Sequence, residues 1–274
     1  YLDLGKAGSQ VLRYGDLDGD GRADLLAVQN RGQNITCLTA FNLNGSVLWQ
    51  IGKPVLSRAI ASYDLPVQIF DWDGDGKNEV LVVRRGRLQL LRGSDGAVLR
   101  SRPVPFRDSI FIIPGRGLKR PSLLLKDRYT RFQIRGYRFQ TRWEGSGRTG
   151  HFPLAISSGK RAANRFLMGY SLYNLSGIKL WSLANVRGNH NDAADVGDLN
   201  GDGKLEIAIA ASGDGILLNA KGKVLWNKPL RHAQHAIIGS FLWGQPLQKQ
   251  AVFVARREDG VVYAYDYSGR QLFK

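Results

Sequence analysis

One cysteine, Cys37, among 274 residues rules out an internal disulfide, and within NITCLTAF it reads as a small apolar packing residue. No uncharged run approaches the ~18 apolar residues of a membrane span, and no basic-then-apolar leader is present. Helical periodicity free of Gly and Pro is missing as well, which leaves an all-β chain. Opening on YLDL without an initiator Met, the sequence is read as a processed or truncated form. Acid is scarce: 23 Asp and Glu stand against 39 Lys and Arg, for a formal net charge of +16. A surface so basic points to an acidic partner. Histidine is scarcer still, with four residues, His151, His190, His232 and His235.

Eleven of the acids crowd into three loops: GDLDGDGRADLLAV (15–28), FDWDGDGKNEVLVV from Phe70, and GDLNGDGKLEIAIA from Gly197. Each places oxygen-bearing side chains at relative positions 1, 3, 5 and 9: Asp16, Asp18, Asp20, Asp24; Asp71, Asp73, Asp75, Glu79; Asp198, Asn200, Asp202, Glu206. Glycine at position 6 (Gly21, Gly76, Gly203) permits the bend that brings a carbonyl at position 7 to the same point. Asp-Gly turns between strands are common for backbone reasons, but three copies of one four-ligand spacing point to a shared ligand. With no thiolate or imidazole on offer, that ligand is expected to be Ca²⁺, about three ions per chain. A β-branched run follows each loop, so the loop introduces a strand and is not a helix–loop–helix hand.

A second repeat is interleaved with the first: GSVLW (45–49), GAVLR (96–100), GIKLW (177–181), GKVLW (222–226) and GRQLF (269–273), with YRFQTRW (137–143) in the long gap. Six units follow, at a period of 38 to 51 residues. That length suits four short strands, and a β-propeller is the architecture that stacks such units. In unit five the strands read DAADVGDL, LEIAIAAS, GILLNAKG and KVLWNKPL, with Gly, Asn or Asp at the breaks. The expectation is one propeller domain over 1–274 with six four-stranded blades visible, seven if the chain is truncated.

These residues carry a resemblance. The D-x-D-G-D-G strands resemble the FG-GAP or VCBS type of calcium-binding propeller repeat. More narrowly, GHFPLA, GYSLYNLSG, NHNDAADVGDLNGDGKLEIAIAA and HAQHAIIGSF, in this order, resemble the propeller polysaccharide lyases. Those enzymes cleave rhamnogalacturonan, ulvan and rhamnosyl-glucuronate chains with His, Tyr and Arg. The resemblance implies the same chemistry here and carries over His151, His190, His232 and His235 as site positions. Calcium loops of this kind also suit an exported protein, because ambient calcium outside cells is high.

The histidines have a distribution of their own. Each is expected to lie a few residues before the first strand of its blade, so adjacent blades aim imidazoles at one place. β-Elimination at a uronate needs the carboxylate neutralised, a base for the C5 proton and an acid for the departing O4. Histidine can serve as base or acid. Tyr170, Tyr173 and Tyr63 are candidate partners; Arg187, Arg58 and Arg231 could hold the carboxylate, and Asn189 and Asn191 could hydrogen-bond it. A zinc ion among the histidines is a further expectation.

Three loops depart from the pattern. Blade three reads IPGRGLKRPSLLL, blade four ISSGKRAANRF and blade six FLWGQPLQKQAVF, all without acid. From Arg116 to Arg148 there are ten Lys or Arg and two acids, and the arginines at 131, 135, 138 and 142 alternate with Phe132, Ile134, Phe139 and Trp143. The arginines are expected to face outward and the apolar residues inward. Hence the alternative: a non-catalytic basic propeller that docks on an acidic polymer or acidic protein assembly. Nucleic acid is set aside, since no recognition motif accompanies the arginines.

Overall fold

The computed structural model describes residues 2–9, 11–55, 65–115, 120–128, 130–157, 163–241, 250–255 and 260–274. Apart from a 3-10 turn at Gly5–Ala7, the regular elements are strands. They form six four-stranded antiparallel sheets, each with its strands in chain order. Blade one holds β1 (Val11–Gly15), β2 (Asp24–Arg31), β3 (Asn34–Asn42) and β4 (Val47–Ile51), and blade two β5 (Val67–Phe70), β6 (Glu79–Arg84), β7 (Arg87–Arg92) and β8 (Val98–Pro103). Blade three holds β9 (Ser109–Ile113), β10 (Ser122–Lys126), β11 (Arg131–Arg135) and β12 (Thr141–Ser146), and blade four β13 (Leu154–Ile156), β14 (Arg165–Met168), β15 (Ser171–Asn174) and β16 (Lys179–Ser182). Blade five holds β17 (Asn191–Gly197), β18 (Glu206–Ala211), β19 (Asp214–Asn219) and β20 (Val224–Pro229), and blade six β21 (Ala233–Gly239), β22 (Gln250–Ala255), β23 (Val261–Tyr265) and β24 (Gln271–Phe273). These are the blades of an all-β propeller. The chain divides into two compact units: residues 1–127 with 132–142, and residues 128–131 with 143–274.

Within each unit the second strand of a blade is buried on both faces. In β6, Val80 and Val82 join the cluster built with Leu26, Val28 and Leu38 of blade one, while Leu81 and Val83 join Ile110, Leu123 and Leu125 of blade three. In β18, Ala208 and Ala210 face Phe253 and Ala251, whereas Ile207 and Ile209 face Leu167 and Leu172. A period of two therefore serves two interfaces at once, which is why these strands read as unbroken apolar runs.

The GxxLW repeat locks one blade to the next. The turn before the fourth strand needs a left-handed residue, supplied at Gly222 (φ +83°), and a Cβ there would lie 2.6 Å from the Trp181 ring of blade four. The indole NH groups then donate across the interface, Trp143 to the Leu175 carbonyl at 3.0 Å, Trp181 to Ala220 at 3.4 Å and Trp226 to Tyr267 at 3.1 Å. Blade two has Arg100 instead, which donates to the Tyr137 carbonyl at 2.9 Å and lies 5.3 Å from that ring's centroid.

The basic stretch divides differently from its alternation. Arg131, Arg138 and Arg142 are exposed, but Arg135 is buried, donating to Gln133 at 3.0 Å and to the Phe139 carbonyl at 2.8 Å. Lys126 is fully buried and paired with Asp108. Both faces of the sheet are covered at these positions, so their cations are satisfied internally. Cys37 is buried, as its apolar surroundings suggest.

Candidate functional site

Three of the four histidines converge on a carboxylate that the sequence reading missed. Asp192 is buried, and its Oδ1 lies 3.4 Å from His190 Nε2 and 3.7 Å from His151 Nε2, while its Oδ2 lies 3.6 Å from His232 Nε2. The rings stand nearly edge to face, His151 and His190 with centroids 5.0 Å apart and His190 and His232 5.9 Å apart. Exposure rises across the group: the side chains of His151, His190 and His232 are 11 %, 16 % and 38 % exposed.

The backbone explains the convergence. Asp192 is the extra residue of a bulge in β17, where the pairing jumps from Asn191↔Ala211 to Ala193↔Ala210. Gln234 is the extra residue of the matching bulge in β21, and its Nε2 donates to Asp192 Oδ1 at 3.2 Å. A bulge re-aims its side chain, here toward the neighbouring blade. The amide of His151 donates to the Asn191 carbonyl at 2.9 Å, and that of His232 to the Ser212 carbonyl at 3.1 Å. His232 is held at φ +50°, a conformation a non-glycine residue keeps only under constraint. The Ser212 hydroxyl lies 3.1 Å from His190 Nδ1, which also faces Asn189 Oδ1.

The other expected residues are placed as follows. His235 is exposed and sits inside β21, paired with Val254, because the Gln234 bulge shifts it one step along the strand. Tyr170 is buried beneath the cluster and donates its hydroxyl to the His190 carbonyl. Burial, and then the Asp192 charge, push this phenol well above the ordinary tyrosine range. Arg187 binds the fully buried Asp214 through its backbone NH at 2.8 Å and its Nε at 2.7 Å. Tyr173 stacks on Phe166 with centroids 5.5 Å apart. Arg231 is exposed. The side-chain amide of Asn191 is buried, and neither of its atoms is hydrogen-bonded among the described residues. Tyr63 and Arg58 lie outside the described residues, as do parts of the acid-free loops of blades three, four and six (116–119, 158–162 and 242–249).

What this group can do follows from its spacing. The gaps of 3.4 to 3.7 Å are long for ion pairs in contact, and Asp192 Oδ2 has no hydrogen-bond partner among the described residues. Around a tetrahedral zinc with bonds of about 2.0–2.1 Å, ligand atoms stand roughly 3.3–3.4 Å apart, so His151, His190 and Asp192 fit such an ion. Without a metal, a His backed by a buried carboxylate is the arrangement of a general acid or base.

The three acidic loops join the first two strands of blades one, two and five. Positions 1, 3 and 9 of the first two come together, Asp16 with Asp18 and Asp24, and Asp71 with Asp73 and Glu79, all ligand atoms within 4.8 Å. Position 5 faces its own backbone: Asp20 accepts from the Arg22 amide, Asp75 from Lys77 and Asp202 from Lys204, each at 2.8 Å. In the third loop Asp198 accepts from the Gly201 and Gly203 amides, Asn200 from Asp202, and Glu206 from Leu199. The position-9 acids open the second strand and are buried, which raises the Asp24, Glu79 and Glu206 carboxyls, Glu79 to about 7. Oxygens gathered at that density fit a hard cation of calcium's type.

Two acid-free loops keep the same frame. The pairs Gly15↔Asp24, Phe70↔Glu79 and Gly197↔Glu206 recur as Ile113↔Ser122 and Ile156↔Arg165, with an identical nine-residue step. Blade three therefore has Ser122, bonded by Arg142 at 3.1 Å, where other blades have an acid, and blade four has Arg165.

Comparison with known proteins bears on this frame. Residues 190–225 match the FG-GAP repeat. The FG-GAP segment spans His190, Asp192 and the whole acidic loop of blade five. Among solved structures, the rhamnogalacturonan lyase YesW is similar at TM-score 0.73 and 16 % identity, over 97 % of this chain and 57 % of that one. The V. cholerae biofilm matrix protein Bap1 is similar at 0.63 and 17 %, over 86 % and 42 %, and BamB from Moraxella catarrhalis at 0.59 and 16 %, over 96 % and 76 %. The chain thus has a β-propeller fold with one segment that matches the FG-GAP repeat, and it spans little more than half of the YesW chain. No curated protein matches its sequence. Among the described residues no helix is long and apolar enough to cross a membrane.

Proposed function

We propose that this chain is an exported, calcium-stabilised propeller that cleaves an acidic, uronate-containing polysaccharide by β-elimination at the His151–His190–His232–Asp192 cluster. The observation that carries this reading is the convergence of three imidazoles from three blades on one buried carboxylate. His232 is the most exposed of them, and its Nδ1 has no partner among the described residues, so it is the base that takes the C5 proton. As that proton leaves, the C4=C5 double bond forms, the C4–O4 bond breaks and O4 departs with a proton supplied by His190. Asp192 steadies the charge gained by His232. Tyr170 positions His190 through its carbonyl and holds its own proton too tightly to share it.

In a zinc-loaded form, with the metal held by His151, His190 and Asp192, the ion would polarise the uronate carboxylate, and the proton for O4 would then come from solvent in place of His190. Ca²⁺ would sit in the acidic loops of blades one, two and five, on positions 1, 3 and 9, and neutralise carboxylates that otherwise repel.

A second reading is favoured by Arg187, whose guanidinium is committed to Asp214 and so is not free to clamp a substrate carboxylate. In it the propeller docks on an acidic polymer without cleaving it, in keeping with the likeness to a biofilm matrix protein. Incubation with rhamnogalacturonan, ulvan and glucuronans separates the two, because elimination creates an unsaturated uronate that absorbs in the ultraviolet. Product is expected from the wild type, with His232→Ala and Asp192→Asn each lowering its rate by about 10²-fold or more. Binding without absorbance on all three substrates establishes the docking reading instead.

A further inference from the structure

A cavity of about 600 Å³ lies at the end of blade five opposite the histidine cluster, inside the ~300–1,000 Å³ range of small-molecule sites. Its walls come from three blades. Asn164 and Arg165 enter from the start of β14, Lys204 from the acidic loop of blade five, Asn219 and Lys221 from the turn after β19, and Tyr267 from the turn before β24.

The charges of this groove do not cancel. Of its two carboxylates, Asp202 is paired with Lys204 at 3.1 Å, and Glu206 is buried with Oε2 on the Leu199 amide. Arg165 and Lys221 are exposed, and neither forms an ion pair among the described residues. Asn219 spends its Oδ1 on the Lys221 and Lys223 amides, at 3.0 Å each, which leaves its Nδ2 as an open donor. Tyr267 accepts the Trp226 indole NH on its carbonyl, so its backbone is pinned while the residue stays 38 % exposed. Arg165 occupies the register position that holds a carboxylate in blades one, two and five. There an exposed guanidinium stands where those blades have a buried acid.

An aromatic face, two unpaired cations and open amides suit one ligand chemistry: a ring with hydroxyls and an acidic group. We infer that this groove is a second binding subsite, for an anionic sugar residue whose ring lies on Tyr267 and whose carboxylate is held by Arg165 and Lys221. Asn164 and Asn219 take its hydroxyls. The sugar class rests on the function proposed above, but the site is separate from the histidine cluster.

The test is calorimetric titration of the full chain with oligogalacturonate, alongside the ultraviolet assay. Arg165→Glu and Tyr267→Ala are each expected to weaken binding by about tenfold or more, with melting curves as the check on folding. Should Arg165→Glu fail to fold, Arg165→Gln gives the same readout. Unchanged binding in both variants overturns the subsite, and if the wild type still forms product the lyase reading survives it. Binding lost in the variants, with no product from the wild type on any substrate, leaves the subsite standing and removes the lyase. No binding by the wild type, or displacement by inorganic sulfate at equal concentration, overturns the sugar assignment outright.

Discussion

Glu79 offers the sharpest test of calcium in the acidic loops. Its carboxyl is 4 % exposed and is pushed up from 4.5 to about 7, first by burial and then by the charges of Asp73, Asp75 and Asp71. In the metal-free protein, between about pH 4.5 and 7, the folded state therefore keeps a proton that the unfolded chain has released. More protons bound in the folded state means stability falls as pH rises through that window. The shift corresponds to about 3 kcal/mol from Glu79 alone, or roughly 6–12 °C of melting temperature for a domain of this size class. Asp24 and Glu206, raised by the same first cause, add to the slope in the same direction. Calcium needs these groups ionised, so its binding expels the protons and its stabilisation grows with pH. At free calcium one hundred times the dissociation constant each site adds about 2.7 kcal/mol. Thermal melts from pH 5.5 to 8, in chelator and in millimolar Ca²⁺, should show a falling line without metal and a nearly flat one with it. Glu79→Gln should remove much of the slope. A chelated protein whose melting temperature does not change across this range, or a calcium effect equal at both ends, would refute the reasoning.

Two further outcomes follow from the packing and the charge. Gly222→Ala places a Cβ 2.6 Å from the Trp181 ring at φ +83°, so denaturant melts should show a loss of about 1–2 kcal/mol for the left-handed backbone and about 1–3 for overpacking; an unchanged midpoint would mean that the blade-to-blade lock is not made there. Retention on a polyuronate matrix should fall steeply between 50 mM and 500 mM salt, since exposed arginines such as Arg131, Arg138 and Arg142 act through screened charge, and salt-independent retention would rule out electrostatic docking.

The blades were legible because each signal in the chain is local. Gly222 with Trp226 marks a turn and a fourth strand, and the Asp198–Glu206 loop marks the passage from first strand to second. Both depend on residues a few positions apart, and the structure returns six four-stranded sheets at those places. The alternation through 131–143 misled at Arg135, because strand periodicity tells one face from the other and does not say that either face is wet. In blade three both are covered.

The candidate site was half legible for a different reason. Aligning HNDAADVG with HAQHAIIG gathers the histidines into one region of each blade, but a one-residue bulge decides which side chain turns inward, and nothing in the spacing of apolar residues announces it. With Gln234 bulged, His235 moves on into the regular strand and faces solvent, while His232, three residues earlier, reaches Asp192. With Asp192 bulged, a residue that strand periodicity would place in an ordinary pair becomes the point on which three blades meet. A signal was nonetheless present. In a chain with so few acids outside its acidic loops, an Asp two residues after a histidine and aligned with a Gln in the next blade is the acid most in need of an explanation. The two bulges also tie function to fold: Gln234 and Asp192 can bond at 3.2 Å only while blades five and six hold their register, so loss of the Trp226 lock between those blades should loosen the cluster before the fold itself melts.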